Sequence, residues 1–200
     1  MSDDRPVVGV VLAGGASSRM GTTKALERIG DRTLLENAVE RLRRQVDRVI
    51  VNGPAELAET LPDDVPVVPD PFQDRRGPLA GVLAALAWTE REVPTAVVVV
   101  SVPVDSPVFP NDLVERLVEA RDPEGNALAR ADGALHPTFA AWNVGMREAL
   151  QSFLLTSDTM KVLAFTEQHG CAFADFEDPD AFDNANTPDD LARIRERMSA

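Results

Sequence analysis

A glycine pair followed by basic residues is the first part of this sequence that could do chemistry. Gly14 and Gly15 come soon after the apolar run Val7–Leu12, and residues without side chains let phosphate oxygens approach main-chain amides. Lys24 and Arg19 lie in the same stretch and could stabilise charge during phosphoryl or nucleotidyl transfer. The stretch therefore predicts a polyphosphate-binding loop, and a tight turn without a ligand is the alternative.

The spacing of this loop excludes two common nucleotide-binding motifs. Five residues separate Gly15 from Gly21, and Thr22 rather than lysine follows, so the P-loop pattern fails. The dinucleotide-binding pattern G-x-G-x-x-G is also missing. The loop therefore represents a different kind of phosphate site.

Asp105 is the second candidate, because it follows an apolar segment and is flanked by Pro103 and Pro107. A carboxylate there suits Mg²⁺, which takes one or two protein carboxylates and otherwise waters and substrate phosphates. An aspartate in a turn or a helix cap fits the position equally well. His136 and His169 are too isolated in the sequence to suggest a zinc site.

Alternating strands and helices must position these candidates. Apolar runs predict strands at 7–12, 48–52, 65–69 and 95–102, and amphipathic periodicity predicts helices at 33–46, 78–90 and 110–120. Thr33 and Glu36 have the spacing of a capping box. This alternation predicts an α/β fold with a mostly parallel central sheet, and the very apolar strand 95–102 is expected near its centre.

The second half of the chain is less regular. Strands are predicted at 126–130, 138–142 and 171–176, with a turn at Asp132-Gly133 between the first two. Helices are predicted at 144–154 and 159–168, and a last helix is expected to begin with Thr187 as its cap. No repeat or long linker interrupts the chain, so residues 1–200 are predicted to form one domain.

Several polar or glycine positions follow predicted strands directly. In parallel sheets, ligands bind at the carboxyl ends of the strands. We therefore expect the Gly14-Gly15 loop, Asn52, Asp70 and Asp105 to lie at one edge of the sheet.

Composition narrows the classes of partner. The formal net charge of −13 argues against binding to nucleic acid or to an anionic membrane, which requires positive potential. Local cations are available at Arg28, Arg32, Arg75 and Arg76, of which the first two are expected on the solvated surface. Cys171 is the single cysteine, no run approaches the roughly 20 apolar residues of a membrane span, and the N-terminus lacks signal-peptide features. These features predict a cytoplasmic protein.

Three motifs of the sequence resemble a known family. The segment 12–21 together with Lys24 resembles the signature loop of nucleotidyltransferases with a Rossmann-like fold. Gly77-Pro78-Leu79-Ala80-Gly81 and the closing segment 184–191 are similar to those of molybdenum cofactor guanylyltransferases. The resemblance covers nearly the whole chain, in order, and implies a central sheet with helices on both faces.

The resemblance implies that GTP and molybdopterin react with Mg²⁺ to give a guanine dinucleotide cofactor and pyrophosphate. It implies a nucleotide-binding half at 1–120 and a pterin-substrate half at 121–200. Lys24 and Arg19 would contact the phosphates, and Asp105 would hold the magnesium. The other nucleotide-binding residues would be Leu12, Ala13, Gly14, Gly15, Asn52, Asp70, Pro78, Leu79 and Gly81, and the pterin side would include Asn184 and Asn186.

Two features depart from the family pattern. The residues before Asp105 are Val102-Pro103-Val104, where a small residue or cysteine is common, and the region 158–168 has Lys161 as its single lysine or arginine. Arg130 and His136-Pro137 are alternative contributors to the pterin site, although they equally suit ordinary strand and turn positions.

Two other functions stay open from the sequence. A molybdopterin cytidylyltransferase would share the glycine-rich loop and use CTP. A non-catalytic nucleotide-binding or chaperone-like protein would keep the fold and deliver the cofactor to a molybdoenzyme. Molybdoenzyme apoproteins or their chaperones are therefore also candidate partners.

Overall fold

The computed structural model describes residues 5–14, 24–74, 76–185 and 187–199. Within these ranges a seven-stranded sheet is flanked by helices on both faces. The strands are β1 Val7–Leu12, β2 Arg28–Ile29, β3 Arg32–Thr33, β4 Arg48–Asn52, β5 Val67–Val68, β6 Val98–Pro103, β7 Ala127–Ala131, β8 Ala134–Asn143 and β9 Ala172–Phe176. The α-helices are α1 Leu34–Arg43, α2 Pro78–Glu92, α3 Leu113–Ala120, α4 Arg147–Thr156, α5 Val162–His169 and α6 Pro188–Ser199.

The large sheet is mostly parallel, as the alternation of elements predicts. Its strand order is β5-β4-β1-β6-β8-β7-β9. The pairs β4–β5, β1–β4, β1–β6 and β7–β9 are parallel, whereas β8 runs antiparallel to both β6 and β7. Strand β6 lies in the middle of the seven, which confirms the expectation from its apolar sequence. The short strands β2 and β3 form a separate hairpin.

Two apolar layers cover the faces of the sheet. One layer includes Leu35 of α1, Leu117 of α3 and Ile194 of α6. The opposite layer includes Leu83 of α2 and Phe165 of α5. Each of these side chains is 5% exposed or less, so burial of apolar surface holds the helices against the sheet.

Helix α1 begins where the capping-box pattern predicts. The Thr33 hydroxyl accepts a hydrogen bond from the Glu36 amide at 3.1 Å, and the Glu36 carboxylate accepts one from the Thr33 amide at 2.6 Å. Hydrogen bonding from Thr33 lowers the pKa of Glu36, because those bonds stabilise the ionised carboxylate. The helix ends at Arg43 rather than at the predicted residue 46, and just past its end the Gln45 side chain donates to Pro110 O and accepts from the Val114 amide.

Other boundaries differ from the sequence prediction for local reasons. Strand β5 keeps only Val67–Val68 of the predicted 65–69, since Pro66 and Pro69 have no N–H to donate to a ladder. Helix α3 begins at Leu113 rather than at Pro110. Strand β8 is longer than predicted and begins at Ala134.

The turn between β7 and β8 has the predicted chemistry. Asp132 and Gly133 have φ angles of 46° and 75°, as a two-residue hairpin with positive φ at both central positions requires. Further along, Leu128 pairs with Ala140 but Ala129 pairs with His136. The intervening residues 137–139 therefore form a bulge in β8, a feature that sequence periodicity did not predict. Among the described residues, no helix is long and apolar enough to cross a membrane.

Candidate functional site

The carboxyl ends of β1, β4 and β6 lie side by side, as predicted. Leu12 is in register with Asn52 on one side and with Pro103 on the other. Past the strand ends, the Ala13 amide donates to Asn52 O at 2.8 Å and the Val104 amide donates to Leu12 O at 3.1 Å. These bonds place the start of the glycine-rich loop between the segments that contain Asn52 and Asp105.

Asn52 is the polar centre of the first part of the site. It is 2% exposed, and its amide nitrogen donates to Asp70 Oδ1 at 2.9 Å and to Val68 O at 3.1 Å. These bonds fix the direction of the amide group and hold the Asp70 carboxylate beside it. The side chains of Asn52 and Asp70 are therefore adjacent, as a shared ligand would require.

Two glycines make room for the Asn52 side chain. A Cβ atom added at Gly81 would lie 2.2 Å from Asn52 Oδ1, far inside contact distance, and one added at Gly14 would lie 3.2 Å from the same oxygen. The exposed main chain of Gly14 thus faces Asn52 and Asp70 from one side. Gly81 approaches Asn52 from the first turns of α2.

Helix α2 brings the segment 77–81 to this edge of the sheet. Gly77 has φ 67° at the position that precedes the helix, a conformation that favours glycine. Pro78 follows at the first helical position, where its missing N–H costs nothing. Leu79 is fully buried in the core, and Leu12 and Ala13 are each 7% exposed. These three residues therefore support this edge of the sheet from within the core.

Lys24 and Asp105 form the charged centre of the site. Lys24 Nζ lies 3.2 Å from Asp105 Oδ2, and the side chains are 18% and 31% exposed. Lys24 begins a short 3-10 helix, Lys24–Leu26, which is anchored by the buried side chain of Ala25. Partial burial reduces screening by water and strengthens the attraction. A cation and a carboxylate therefore meet beside the end of β6.

The closing motif of the sequence contacts the Asp105 segment. The Ala185 amide donates to Asp105 O at 2.6 Å, and the Ser106 hydroxyl donates to Asn184 Oδ1. Ser106 is fully buried, whereas Asn184 is exposed. Sequence analysis missed Ser106, and its position directly after Asp105 is the signal that could have indicated it.

An aromatic cluster lies next to the closing motif. The Phe182 ring is 4.6 Å from both His136 and Phe139 and 5.1 Å from Phe176, measured between ring centroids. Nε2 of His136 is buried and has no hydrogen-bond partner among the described residues. Burial lowers the pKa of His136, because it disfavours the charged imidazolium. The His136 imidazole thus lies beside Phe182, next to the closing motif.

Other predicted cations lie elsewhere or are occupied. Arg28 and Arg32 are exposed on the β2–β3 hairpin, as expected for solvated residues. Arg130 Nη2 donates to Asp175 Oδ2 at 2.7 Å, a pairing that raises the pKa of Arg130. The predictions for Gly15, Arg19 and Asn186 lie outside the described residues.

Clusters of metal-ligating side chains and surface cavities bear on the location of the site. In the described ranges, no group of three or more His, Cys, Asp or Glu side chains is placed to hold a metal. A surface cavity of about 380 Å³ lies between α1, α3 and the segment after β9, lined in part by Arg41, Phe109 and Arg116. No predicted site residue lines this cavity, and we place the site at the strand ends because the interacting polar groups converge there.

Comparison with known proteins identifies the family. Residues 9–171 match the family described as a MobA-like NTP transferase domain. This chain belongs to that family. The match includes β1 from Gly9 onward, the Lys24–Asp105 pair and the whole of α2. With the relatives described next, it confirms the family resemblance inferred from the motifs.

Individual members of the family and of the fold agree with this assignment. The molybdenum cofactor guanylyltransferase of Rhodopseudomonas palustris strain HaA2 is 43% identical over 197 residues, covering 96% of this chain and 92% of its own length. Molybdopterin-guanine dinucleotide biosynthesis protein A of Archaeoglobus fulgidus has a similar structure, with a TM-score of 0.74 and 22% identity over 96% of this chain and 98% of that one. The 4-diphosphocytidyl-2C-methyl-D-erythritol synthase of Anaerococcus prevotii shares the fold, with a TM-score of 0.72 and 11% identity over 98% and 97% of the two chains.

Proposed function

We propose that this protein is an enzyme that transfers GMP from GTP to molybdopterin, forming molybdopterin guanine dinucleotide and releasing pyrophosphate. Family membership and the 43% identity to a guanylyltransferase support the activity. The single observation that most favours catalysis is the Lys24–Asp105 pair at the strand ends. A protein that only bound nucleotide would not need a carboxylate beside the phosphate-binding cation.

The nucleotide occupies the edge formed by Gly14, Asn52, Asp70 and the start of α2 in this proposal. Gly14 is exposed and faces the Asn52–Asp70 pair. A Cβ added at Gly14 would lie 3.2 Å from Asn52 Oδ1 and 3.6 Å from Asp70 Oδ2, so a side chain there would fill part of this space. Asn52 and Asp70 supply polar groups for guanosine, and the main chain at Pro78, Leu79 and Gly81 shapes the base pocket. Lys24 then lies on the phosphate side, with Gly15 and Arg19 as further predicted contacts.

Asp105 is the residue that would hold Mg²⁺. Its carboxylate is about one-third exposed at the end of β6, and one carboxylate suffices where substrate phosphates supply the remaining ligands. When bound, the ion supplies positive charge against the triphosphate. The Asp105 main chain is held by Ala185, so the carboxylate is attached to a fixed segment.

The proposed reaction is a displacement at the α-phosphorus of GTP. A terminal phosphate oxygen of molybdopterin forms the new P–O bond, the bond to the β-phosphate bridging oxygen breaks, and pyrophosphate leaves with the electron pair. No covalent enzyme intermediate is needed, because positioning and charge stabilisation supply the catalysis. The Lys24 ammonium offsets charge that develops on the phosphates.

Molybdopterin lies on the side of the closing motif in this proposal. Asn184 is exposed and bonded to Ser106, and Asn186 is predicted to join it. The His136 imidazole lies 4.6 Å from the Phe182 ring, measured between ring centroids, and Phe182 is two positions before Asn184. We assign the pterin to residues 121–200 and the nucleotide to residues 1–120 on this basis.

The proposal of GTP rather than CTP as substrate is supported by sequence similarity and not by the fold. The same fold occurs in a protein whose name specifies a cytidyl group, whereas the relative at 43% identity is named a guanylyltransferase. Pyrophosphate release should therefore be measured with molybdopterin and either GTP or CTP, in the presence of Mg²⁺. We expect faster turnover with GTP, and faster turnover with CTP would contradict the proposal in favour of a cytidylyltransferase.

A non-catalytic role in cofactor delivery is tested by Asp105→Asn. The substitution keeps the shape of the side chain but removes its charge, so we expect GTP binding to persist while product formation and its magnesium dependence are lost. If binding and product formation both stayed intact, the catalytic role of Asp105 would be wrong. Delivery to molybdoenzyme apoproteins or their chaperones remains a separate proposal.

We also propose that the protein acts in the cytoplasm. Cys171, the single cysteine of the sequence, is a half-buried free thiol, which fits a reducing environment. Burial raises its pKa to about 11, so the reactive thiolate is scarce at neutral pH.

A further inference from the structure

Arg76 lies in a loop that joins two parts of the proposed nucleotide site. The loop leaves the sheet after Asp70, which bonds Asn52, and it returns at Pro78, where α2 begins. Any movement of this loop would change the distance between Asp70 and the first turn of α2. The contacts that hold this loop in place therefore affect the proposed pocket for the guanine base directly.

The Arg76 guanidinium makes three different contacts. One terminal nitrogen, Nη1, donates to Leu154 O in α4. The guanidinium carbon lies 4.4 Å from the centre of the Phe72 ring, a cation–π distance. Nε donates to Asp74 Oδ2 at 3.0 Å, which lowers the pKa of Asp74. With only 20% of the side chain exposed, Arg76 links both sides of its own loop to a separate helix.

The contact with Leu154 uses a carbonyl at the end of a helix. Helix α4 ends at Thr156, so Leu154 O is among the last four carbonyls, which have no partner within the helix. A positive charge is also favoured there by the helix dipole. Leu154 is fully buried and Phe72 packs against the same apolar layer, so Arg76 anchors the loop to rigid core.

Arg76 is followed directly by Gly77, a residue with a positive φ angle. Gly77 has φ 67°, and a Cβ added there would lie 3.7 Å from Met160 O, in the connection between α4 and α5. Two successive residues of the loop thus meet this region, with Arg76 bonded to α4 itself and Gly77 next to the connection that follows it. The loop continues directly into the first turn of α2, which contains Pro78 and Gly81. Because Gly81 lies so close to Asn52, a small displacement of this turn would bring the two residues into collision.

We propose that Arg76 is a positioning residue that fixes the base-binding loop and so sets the affinity for the nucleotide without touching it. The inference rests on the proposed function, because it concerns the pocket to which we assign guanine. It predicts an effect on nucleotide binding that is separate from the chemical step and from the pterin. A lysine at position 76 should not restore this role. Its ammonium group lacks the planar guanidinium, which donates to Leu154 O and packs on the Phe72 ring at the same time.

The test compares steady-state kinetics of Arg76→Ala and Arg76→Lys with the wild-type protein. We expect KM for GTP to rise about tenfold in both variants, the rise that follows if the binding-competent arrangement of the loop falls to about one-tenth of the population. The kcat and the KM for molybdopterin should stay within about twofold of wild type, since neither the phosphate site nor the pterin site is altered. An unchanged KM for GTP, or an equal rise in both KM values, would overturn the proposal.

Two further variants serve as controls. Arg43→Ala removes an exposed ion pair with Asp64, outside the loop. Asp74→Ala removes a partner of Arg76 within the loop, and the Asp74 side chain is 66% exposed. Both should leave KM for GTP within about twofold of wild type, because exposed ion pairs contribute little. An Asp74→Ala effect as large as that of Arg76→Ala would contradict anchoring by Leu154 and Phe72.

The outcome can be separated from failure of the proposed function. If the wild-type protein releases no pyrophosphate with GTP and molybdopterin, the proposed activity is wrong. If the wild type is active and the Arg76 variants keep a normal KM for GTP, only the positioning role is wrong. Thermal unfolding of each variant is recorded alongside, and Arg76→Lys decides the question if Arg76→Ala does not fold.

Discussion

Lys24 Nζ lies 3.2 Å from Asp105 Oδ2, although 81 positions separate the two residues in the sequence. One follows the glycine-rich loop after β1 and the other follows β6, the neighbouring strand. The parallel register of these strands brings their ends together, and the 3-10 helix Lys24–Leu26, anchored by buried Ala25, places the Lys24 ammonium beside Asp105. The charged centre therefore depends both on the sheet topology and on the packing of this short helix.

Replacing Lys24 by alanine should remove charge stabilisation from the proposed phosphate site. We expect kcat with GTP and molybdopterin to fall by about 100-fold or more, as when other groups that stabilise a transition-state charge are lost. Arg44→Ala, which removes an exposed ion pair with Glu40, is the matched loss of a cation and should leave kcat unchanged. An unaltered rate for Lys24→Ala would count against the assignment of the loop.

Gly81→Ala should disturb Asn52, because the new Cβ would lie 2.2 Å from Asn52 Oδ1. We expect weaker GTP binding and a loss of about 1–3 kcal/mol in the free energy of unfolding, as is typical of overpacking. In an Asn52→Ala background the contacts with the Asn52 amide are gone and the 2.9 Å approach to Leu12 Cδ2 remains, so the same substitution should cost less. Equal costs in the two backgrounds, measured by denaturant unfolding, would show that the two residues do not interact.

Ser106→Ala should affect the pterin side of the site. The substitution removes the hydroxyl that donates to Asn184 Oδ1, so we expect a several-fold higher KM for molybdopterin and an unchanged KM for GTP. Thr60→Ala, which removes a hydroxyl bonded to Leu57 O at 2.8 Å, is a control for losing one hydrogen bond away from the site. A selective rise in the KM for GTP would place Asn184 on the nucleotide side instead.

His136 should make the stability of the protein depend on pH. Burial lowers the pKa of His136 in the folded state, so the unfolded chain, whose histidine titrates near about 6.5, binds the proton more readily. The free energy of unfolding should therefore fall as the pH decreases from about 6.5 towards the folded pKa. His136→Phe keeps an aromatic ring beside Phe182 and removes the titration, so this part of the pH dependence should disappear.

Urea unfolding of the wild type and of His136→Phe at pH 7.5 and 5.5 provides the measurement. The difference between the two proteins matters, because carboxylates with lowered pKa values, such as Asp175, contribute to both. Parallel pH dependences would contradict the buried, neutral state of the imidazole.

Local sequence signals were sufficient for the parts of the fold that local chemistry determines. Strands β1 and β4 have the predicted bounds, and Thr33 caps α1 as its spacing with Glu36 indicates. The rule that ligands meet the carboxyl ends of parallel strands also predicted that Asn52 and Asp70 would be neighbours. The strand bounds and the helix cap follow from short segments of sequence, and the adjacency of Asn52 and Asp70 needs only the topological rule in addition.

Contacts that depend on tertiary packing were not predictable in this way. The bonds from Arg76 to Leu154 O and from Ser106 to Asn184 each span 78 positions, and no periodicity relates their ends. The bulge at residues 137–139 depends on how β8 fits between two neighbouring strands. The closeness of Gly81 to Asn52 likewise follows from the packing of α2 on the sheet.

The fate of labelled phosphate tests the central claim most directly. The purified protein is incubated with molybdopterin, Mg²⁺ and GTP labelled either at the α-phosphorus or at the γ-phosphorus, and the products are separated. We expect the α label in a molybdopterin-containing dinucleotide and the γ label in pyrophosphate, both only when molybdopterin is present. Recovery of the α label in free GMP or GDP, with none joined to molybdopterin, would contradict the transferase function.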